Sequence, residues 1–328
     1  MAIASSHALG AKPGKSVMLL PGQTVEIRSP SEILATLGAD GALDGLPFMP
    51  EMVQYCGRRF RVLRRLEKIC YDSFPMHMRE FNCNDVVYLE GLHCSGVDHG
   101  SCKKSCLVFW KEAWLRKSDG ERSVAASGPE PAQALRARLK TATPAGTYFC
   151  QSTELAQATF PLTRGRRVLK WFRDARERTY PWRQVPGLVL MPIVRKLRRK
   201  LVGETLRGHQ TPTPTETLNL QPGEWVEVKP LKAILQTLDA NGKNRGLHFS
   251  EDMAAFCGRA FRVRDRLDRM ISEVTGQMQE MKNTVILEDV RCACPYTLGG
   301  CPRGSFQYWR EIWLRRLPQT PNHPGPTQ

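Results

Sequence analysis

The sequence predicts a mainly β fold with helical insertions (α+β): two duplicated small Src-homology-3-like barrels joined by a basic helical region. Three observations carry that prediction. Residues 22–66 align without a gap on residues 223–267 at a constant offset of 201, and 21 of those 45 positions are identical. A second matched block follows, starting at Val86 in one copy (VVYLEGLHC, then FWKEAWLR) and at Thr284 in the other (TVILEDVRC, then YWREIWLR). Short alternating apolar segments, punctuated by Gly and Pro, fill each copy in place of long helical periodicity. A unit of about 95 residues is a small single domain, so two of them make two domains and not a solenoid.

The elements follow in order. Pro-Gly at 21–22 and 222–223 signals a turn, and TVEIR and EWVEVK alternate as half-buried strands. SEILATL and LKAILQTL have apolar residues at helical spacing, and GADGALDG and DANGKNRG then turn the chain. PEMVQYCG reads as a short helix stopped by Gly57. RRFRVLRRLEKI and VVYLEGLHC read as the arms of a long hairpin. FWKEAWLR and YWREIWLR alternate large apolar with charged residues and are expected to close each barrel as a final strand. On such a strand Trp110 and Trp114, or Trp309 and Trp313, face one side; core packing is the preferred reading over a stacking platform.

The expected boundaries are a flexible N-terminus (1–16), repeat domain 1 (17–117), a linker (118–146), a basic helical middle region (147–207), a Pro/Thr linker (208–220), repeat domain 2 (221–317) and a disordered tail (318–328). PAQALRARLK is expected as a helix in the first linker. Ser152 or Thr153 is expected to cap another in TYFCQSTELAQATFPL, where Cys150 completes a neighbouring core.

With 328 residues and 41% hydrophobic content, the chain can bury two ordinary cores. The longest apolar run of the middle region, 187–194, is far shorter than the ~20 residues that cross a bilayer. No secretory leader pattern opens the chain. A cytoplasmic protein is expected, or one peripheral to the inner face of the membrane.

The duplication filters the residues. Retained in both copies are the pairs Gly45/Gly246, Phe48/Phe249, Met52/Met253, Cys56/Cys257, Gly57/Gly258, Phe60/Phe261, Val62/Val263, Glu90/Glu288, Cys94/Cys292, Cys102/Cys301, Trp110/Trp309, Glu112/Glu311 and Trp114/Trp313. No His, Ser or Asp able to act as base or nucleophile survives, so a non-enzymatic adaptor or binding protein is expected, with a thiol or iron–sulfur redox enzyme as the alternative. Three cysteine pairs do survive. Cys56, Cys94, Cys102 and Cys106 are a candidate tetrahedral zinc site in the first copy, the last three spaced C-x7-C-x3-C on a Gly-containing loop. The second copy offers Cys257, Cys292 and Cys301, with Ser305 in place of Cys106 and Cys294 as a replacement ligand. In a reducing compartment, eleven cysteines fit metal ligands or packed thiols better than a disulfide framework. His93 and His99 beside the loop are expected at the surface or behind the ligands, because the second copy has Arg291 and no matching His.

The net charge of +16 is concentrated between the copies: residues 164–207 hold 14 Lys or Arg and 3 Asp or Glu. LVLMPIVRKLRRKLVGETL sets Leu190, Val194, Leu197 and Leu201 on one helical stripe among Arg195, Lys196, Arg198, Arg199 and Lys200. Upstream lie Arg166, Arg167, Lys170 and Arg173, with aromatics between them. A basic amphipathic helix suits an anionic membrane surface, where apolar burial and charge attraction add. It suits an acidic polysaccharide or nucleic-acid backbone as well. The bland alternative packs the stripe on a barrel and leaves the charges solvated.

The run GLPFMPEM, YCG and FRV, then LEG with the cysteine loop and FWKEAWLR, then TEL and a second YWREIWL, resembles an uncharacterised bacterial family of tandem-repeat, cysteine-containing proteins. The resemblance covers most of the chain outside the linkers and tail. It implies the two-copy architecture, no established activity, and a loose link to polysaccharide biosynthesis. CACPYTLGGC departs from the three-cysteine loop that the resemblance implies for the second copy.

Overall fold

The computed structural model describes residues 18–71, 77–118, 129–163, 206–292 and 302–318, with positions 165, 166, 169, 170, 186, 187, 190, 193, 194 and 197 of the middle region. The first copy opens with β1 (Thr24–Ile27), which buries Val25 and Ile27. Helix α1 (Pro30–Leu34) starts at Ser29 with a capping box. Ser29 Oγ accepts the Glu32 N–H, and the Glu32 carboxylate accepts the Ser29 N–H at 2.9 Å, so two otherwise orphaned donors are satisfied. Strands β2 (Ala42–Leu43) and β3 (Leu46–Pro47) form a tight hairpin turned by Asp44 and Gly45, both at positive φ. A Cβ on Gly45 would stand 2.8 Å from the Gln157 carbonyl oxygen, which explains a glycine at that position.

The expected short helix is a 3₁₀ turn (Pro50–Tyr55), and it ends before Gly57, at φ +75°. Next come β4 (Arg59–Arg65), the small hairpin β5 (Ile69–Tyr71) and β6 (His77–Phe81), then β7 (Val86–His93), β8 (Leu107–Lys111) and β9 (Leu115–Lys117). Strands β4 and β7 do pair antiparallel, Val62 opposite Leu89. The antiparallel sheet order is β8-β7-β4-β1-β9, curled into a half-barrel.

Between the copies, α2 (Pro129–Arg138) and α3 (Leu155–Ala158) precede β10 (Thr159–Pro161), which pairs with β6. The second copy contains β11 (Trp225–Val228), α4 (Leu231–Leu235), β12 (Lys243–Asn244), β13 (Leu247–His248), β14 (Ala260–Arg266), β15 (Arg269–Ile271), β16 (Met278–Glu280), β17 (Thr284–Arg291), β18 (Phe306–Arg310) and β19 (Leu314–Arg316). Its five-stranded order, β18-β17-β14-β11-β19, repeats the first, and so does the register: Val25 faces Phe60 as Val226 faces Phe261.

Several retained pairs have a cause in the packing. Trp110, Trp114, Trp309 and Trp313 are all fully buried, with Phe48 and Phe249 packed edge-on against them at 5.1 to 6.2 Å. The expected single closing strand is corrected: a 3₁₀ turn, Glu112–Trp114 or Glu311–Trp313, breaks it in each copy. That turn puts each glutamate under the chain that leads into its barrel. Glu112 accepts the Leu19 N–H at 2.7 Å and pairs with Arg65; Glu311 accepts the N–H groups of Leu218, Asn219 and Leu220 and pairs with Arg266 at 3.2 Å. Buried carboxylates persist only with such partners.

Trp114 Nε1 donates to Thr36 Oγ1 at 3.1 Å, and Trp313 Nε1 to Thr237 Oγ1 at 3.0 Å. Thr36→Val or Thr237→Val strands a buried donor and is expected to lower stability by roughly 1–3 kcal/mol. A urea midpoint that does not move would refute this.

Both linkers pack further than their composition suggests. Leu135 of α2 joins the first core, and Leu220 joins the second. The expected cap of α3 is absent: its N-cap position is Glu154, and Thr153 Oγ1 accepts the Cys150 N–H at 2.9 Å instead.

Candidate functional site

The loop from Cys94 to Cys106 joins β7 to β8, with the Cys94 N–H donating to the Cys106 carbonyl at 2.7 Å across its mouth. Gly96, Gly100, Ser101 and Ser105 all take positive φ, so the loop coils tightly. A Cβ on Gly96 would collide with the Cys102 carbonyl. This coiling buries His99 to 1% exposure and aims it at Glu51, which arrives from the 3₁₀ turn Pro50–Tyr55.

Glu51, Cys94 and His99 each place one ligand atom within 4.8 Å of the others, a donor set of carboxylate, thiol and imidazole that can hold a metal ion. Glu51 Oε2 is itself positioned by the Ser95 N–H and Oγ, both at 2.8 Å. Neither ring nitrogen of His99 has a partner at hydrogen-bond geometry, a costly state for a buried imidazole. Burial lowers the His99 pKa, opposed by Glu51, Asp98 and the nearby Phe149 backbone. Burial, then the charges of Glu51 and Cys106, push the Cys94 thiol well above its ordinary range. A cation among the three reverses that logic, because it stabilises thiolate and neutral imidazole together.

Cys102, Cys106 and Cys150 line the same cavity, of about 40 Å³. That volume has room for an ion and a water or two. Burial pushes Cys150 up to about 11. Cys106 Sγ lies 3.5 Å from Ser152 Oγ, and Cys102 Sγ accepts the Ile271 N–H at 3.4 Å.

The four-thiolate set is thus only partly assembled. Cys56 packs against the first core, its thiol raised to about 11 by burial, and is not among the residues lining this cavity. His99, expected at the surface or behind the ligands, is buried among them. Cysteine spacing does not pick out Glu51, although a signal exists: Asp252 gives the second copy an acid at the same offset. There Asp252 accepts from Gln307 Nε2 at 2.6 Å and Ser250 Oγ at 2.5 Å. Cys292 lines a neighbouring cavity of about 170 Å³ with Ser305, burial raises the Cys257 pKa, and Cys294 and Cys301 lie outside the described residues.

This second cavity sits on the seam between the two copies, where Glu273 is buried with Lys104 and Arg303. Lys104 Nζ donates to Glu273 Oε1 at 2.7 Å, and Arg303 Nη1 to Glu273 Oε2 at 2.9 Å.

In the basic middle region, two of the residues expected to meet an acidic partner meet acids of this chain. Lys170 is buried and pairs with Glu67 at 2.5 Å and Glu80 at 3.5 Å; Arg166 pairs with Glu80 at 2.7 Å. Arg167, Arg173, Arg195, Lys196, Arg198, Arg199, Lys200 and Leu201 lie outside the described residues. The described part of the stripe is helical and open: Leu190, Val194 and Leu197 are 59%, 47% and 59% exposed, and Ile193 beside them is 52% exposed. These four side chains face solvent rather than a half-barrel. Among the described residues no helix is long and apolar enough to cross a membrane. Comparison with protein-family models, curated proteins and solved structures finds no match.

Proposed function

We propose that the chain is a non-enzymatic adaptor, built of two Src-homology-3-like barrels braced by zinc, that docks on an anionic membrane surface through its basic middle segment. The observation that carries the reading is the exposed row Leu190, Ile193, Val194 and Leu197, at helical spacing within a stretch of 14 Lys or Arg and 3 Asp or Glu. Four open apolar side chains on one helical face are what a lipid interface buries, and the surrounding charge favours anionic headgroups. Zinc is the ion assigned to Glu51, Cys94 and His99, since mixed thiolate, imidazole and carboxylate ligation suits it. The cytoplasmic face of the membrane, where anionic lipid is enriched, is the corresponding location. Membership of the bacterial tandem-repeat family belongs to the same reading.

Co-sedimentation with vesicles tests it. The full chain is expected to bind phosphatidylcholine vesicles carrying phosphatidylserine, to release as salt rises, and to ignore pure phosphatidylcholine. Leu197→Asp removes one buried apolar contact and is expected to weaken binding about tenfold or more. Equal binding to neutral vesicles, or none to anionic ones, refutes the docking; salt-sensitive binding to duplex DNA that Leu197→Asp leaves intact moves the reading to nucleic acid.

A further inference from the structure

We infer that Glu51, Cys94 and His99 hold a single zinc ion in the first copy, and that this ion shapes the loop on which the second barrel docks. The inference rests on the zinc assignment above and adds its consequence for the seam between the copies. Glu51 belongs to a 3₁₀ turn packed on the first core, whereas Cys94 and His99 belong to the loop. A metal shared among them therefore staples that loop to its barrel. The loop needs a staple: Ser101 and Ser105 sit at φ +59° and +51°, conformations that favour glycine, and no β-ladder spans residues 94–106. Neither nitrogen of this buried imidazole has a partner at full hydrogen-bond geometry, the Phe149 backbone being only nearby, and an ion is a partner that fits.

The same loop makes the seam. The Lys103 N–H donates to the Arg269 carbonyl at 2.9 Å, Cys102 Sγ accepts the Ile271 N–H, Arg269 Nη1 reaches the Gly100 carbonyl at 3.4 Å, and Lys104 meets Glu273. Every one of these first-copy groups lies within five residues of His99. Withdrawing the ion leaves their partners in β15 and beyond without a defined surface to meet. Three protein ligands leave a fourth tetrahedral position facing a cavity with room for a water. The second copy uses hydrogen bonds at the corresponding place, where Asp252 is taken by Gln307 and Ser250.

The test uses the full chain, purified without chelator or affinity metal, with metal content by mass spectrometry and amide hydrogen exchange on the same samples. Zinc content is expected to fall by one equivalent in Cys94→Ser and in His99→Gln and to stay unchanged in Cys56→Ser. Exchange at the Lys103 and Ile271 amides is expected to quicken about tenfold or more on that loss, while amides of the β1 and β4 ladder keep their protection. Chelation of the unaltered chain, checked by circular dichroism, gives the same readout without a substitution. Zinc retained in both ligand variants, or zinc lost only from Cys56→Ser, overturns the ligand set and leaves zinc itself standing. Zinc lost with no change at the seam amides overturns the coupling alone. A well-folded chain without metal overturns both the inference and the zinc assignment, while vesicle binding answers separately for the docking.

Discussion

Glu273→Ala is expected to lower stability by roughly 3–5 kcal/mol, the scale of breaking a buried ion pair from one side. Lys104 and Arg303 are both buried beside Glu273 and lose the carboxylate that they share. Against a total stability of roughly 5–15 kcal/mol, that is a large fraction. Because Lys104 comes from the first copy and Glu273 and Arg303 from the second, the loss falls on the seam. Urea unfolding is therefore expected to divide into two transitions in the variant; a single transition at the unaltered midpoint would refute the assignment.

The same group imposes a pH dependence. Burial pushes the Glu273 carboxyl up, but Arg303 and then Lys104 outweigh it and hold the pKa at about 2, below the ordinary 4.5. A pKa lower in the folded state contributes stability that is fully present above the unfolded value and is lost as pH falls through the folded one. Stability should therefore drop between pH 4.5 and 2, and Glu273→Gln should remove that part of the drop. An identical acid limb in the variant would show that other carboxylates dominate there.

Trp114→Ala and Trp313→Ala are each expected to cost roughly 3–5 kcal/mol, combining lost transfer energy with a cavity the core cannot collapse. Each indole is fully buried, stacked edge-on with Phe48 or Phe249 and tied to Thr36 or Thr237. Since the two lie in separate cores, their effects should add to within about 0.5 kcal/mol in the double variant. Strong non-additivity would mean that the two cores are energetically coupled across the seam.

Much of this architecture is legible in the chain. The pairs Trp114/Trp313, Glu112/Glu311 and Gly45/Gly246 emerge from comparing the copies, and each has a contact or a backbone angle behind it. The pairing of β4 with β7, and of β14 with β17, is readable from two matched apolar runs. The closing strand is misread because alternation survives a single 3₁₀ turn, the turn from which Glu112 accepts the Leu19 N–H. The linkers are misread because composition does not reveal that one leucine, Leu135 or Leu220, fills a gap in a core.

The repeated unit, its β character and the concentration of positive charge in one segment are readable along the chain, because periodicity, turn residues and charge are local properties. The tertiary structure alone decided which donors share a cavity. Glu51 is remote in sequence from Cys94 and His99, and Cys150 comes from outside the repeat altogether. Their meeting depends on the left-handed coiling of one loop and on how far the sheet curls, and no local pattern encodes either. The same holds for the seam, where Lys104 of the first copy and Arg303 of the second converge on Glu273. It holds for Lys170, whose charge looks free for a partner until folding sets it against Glu67.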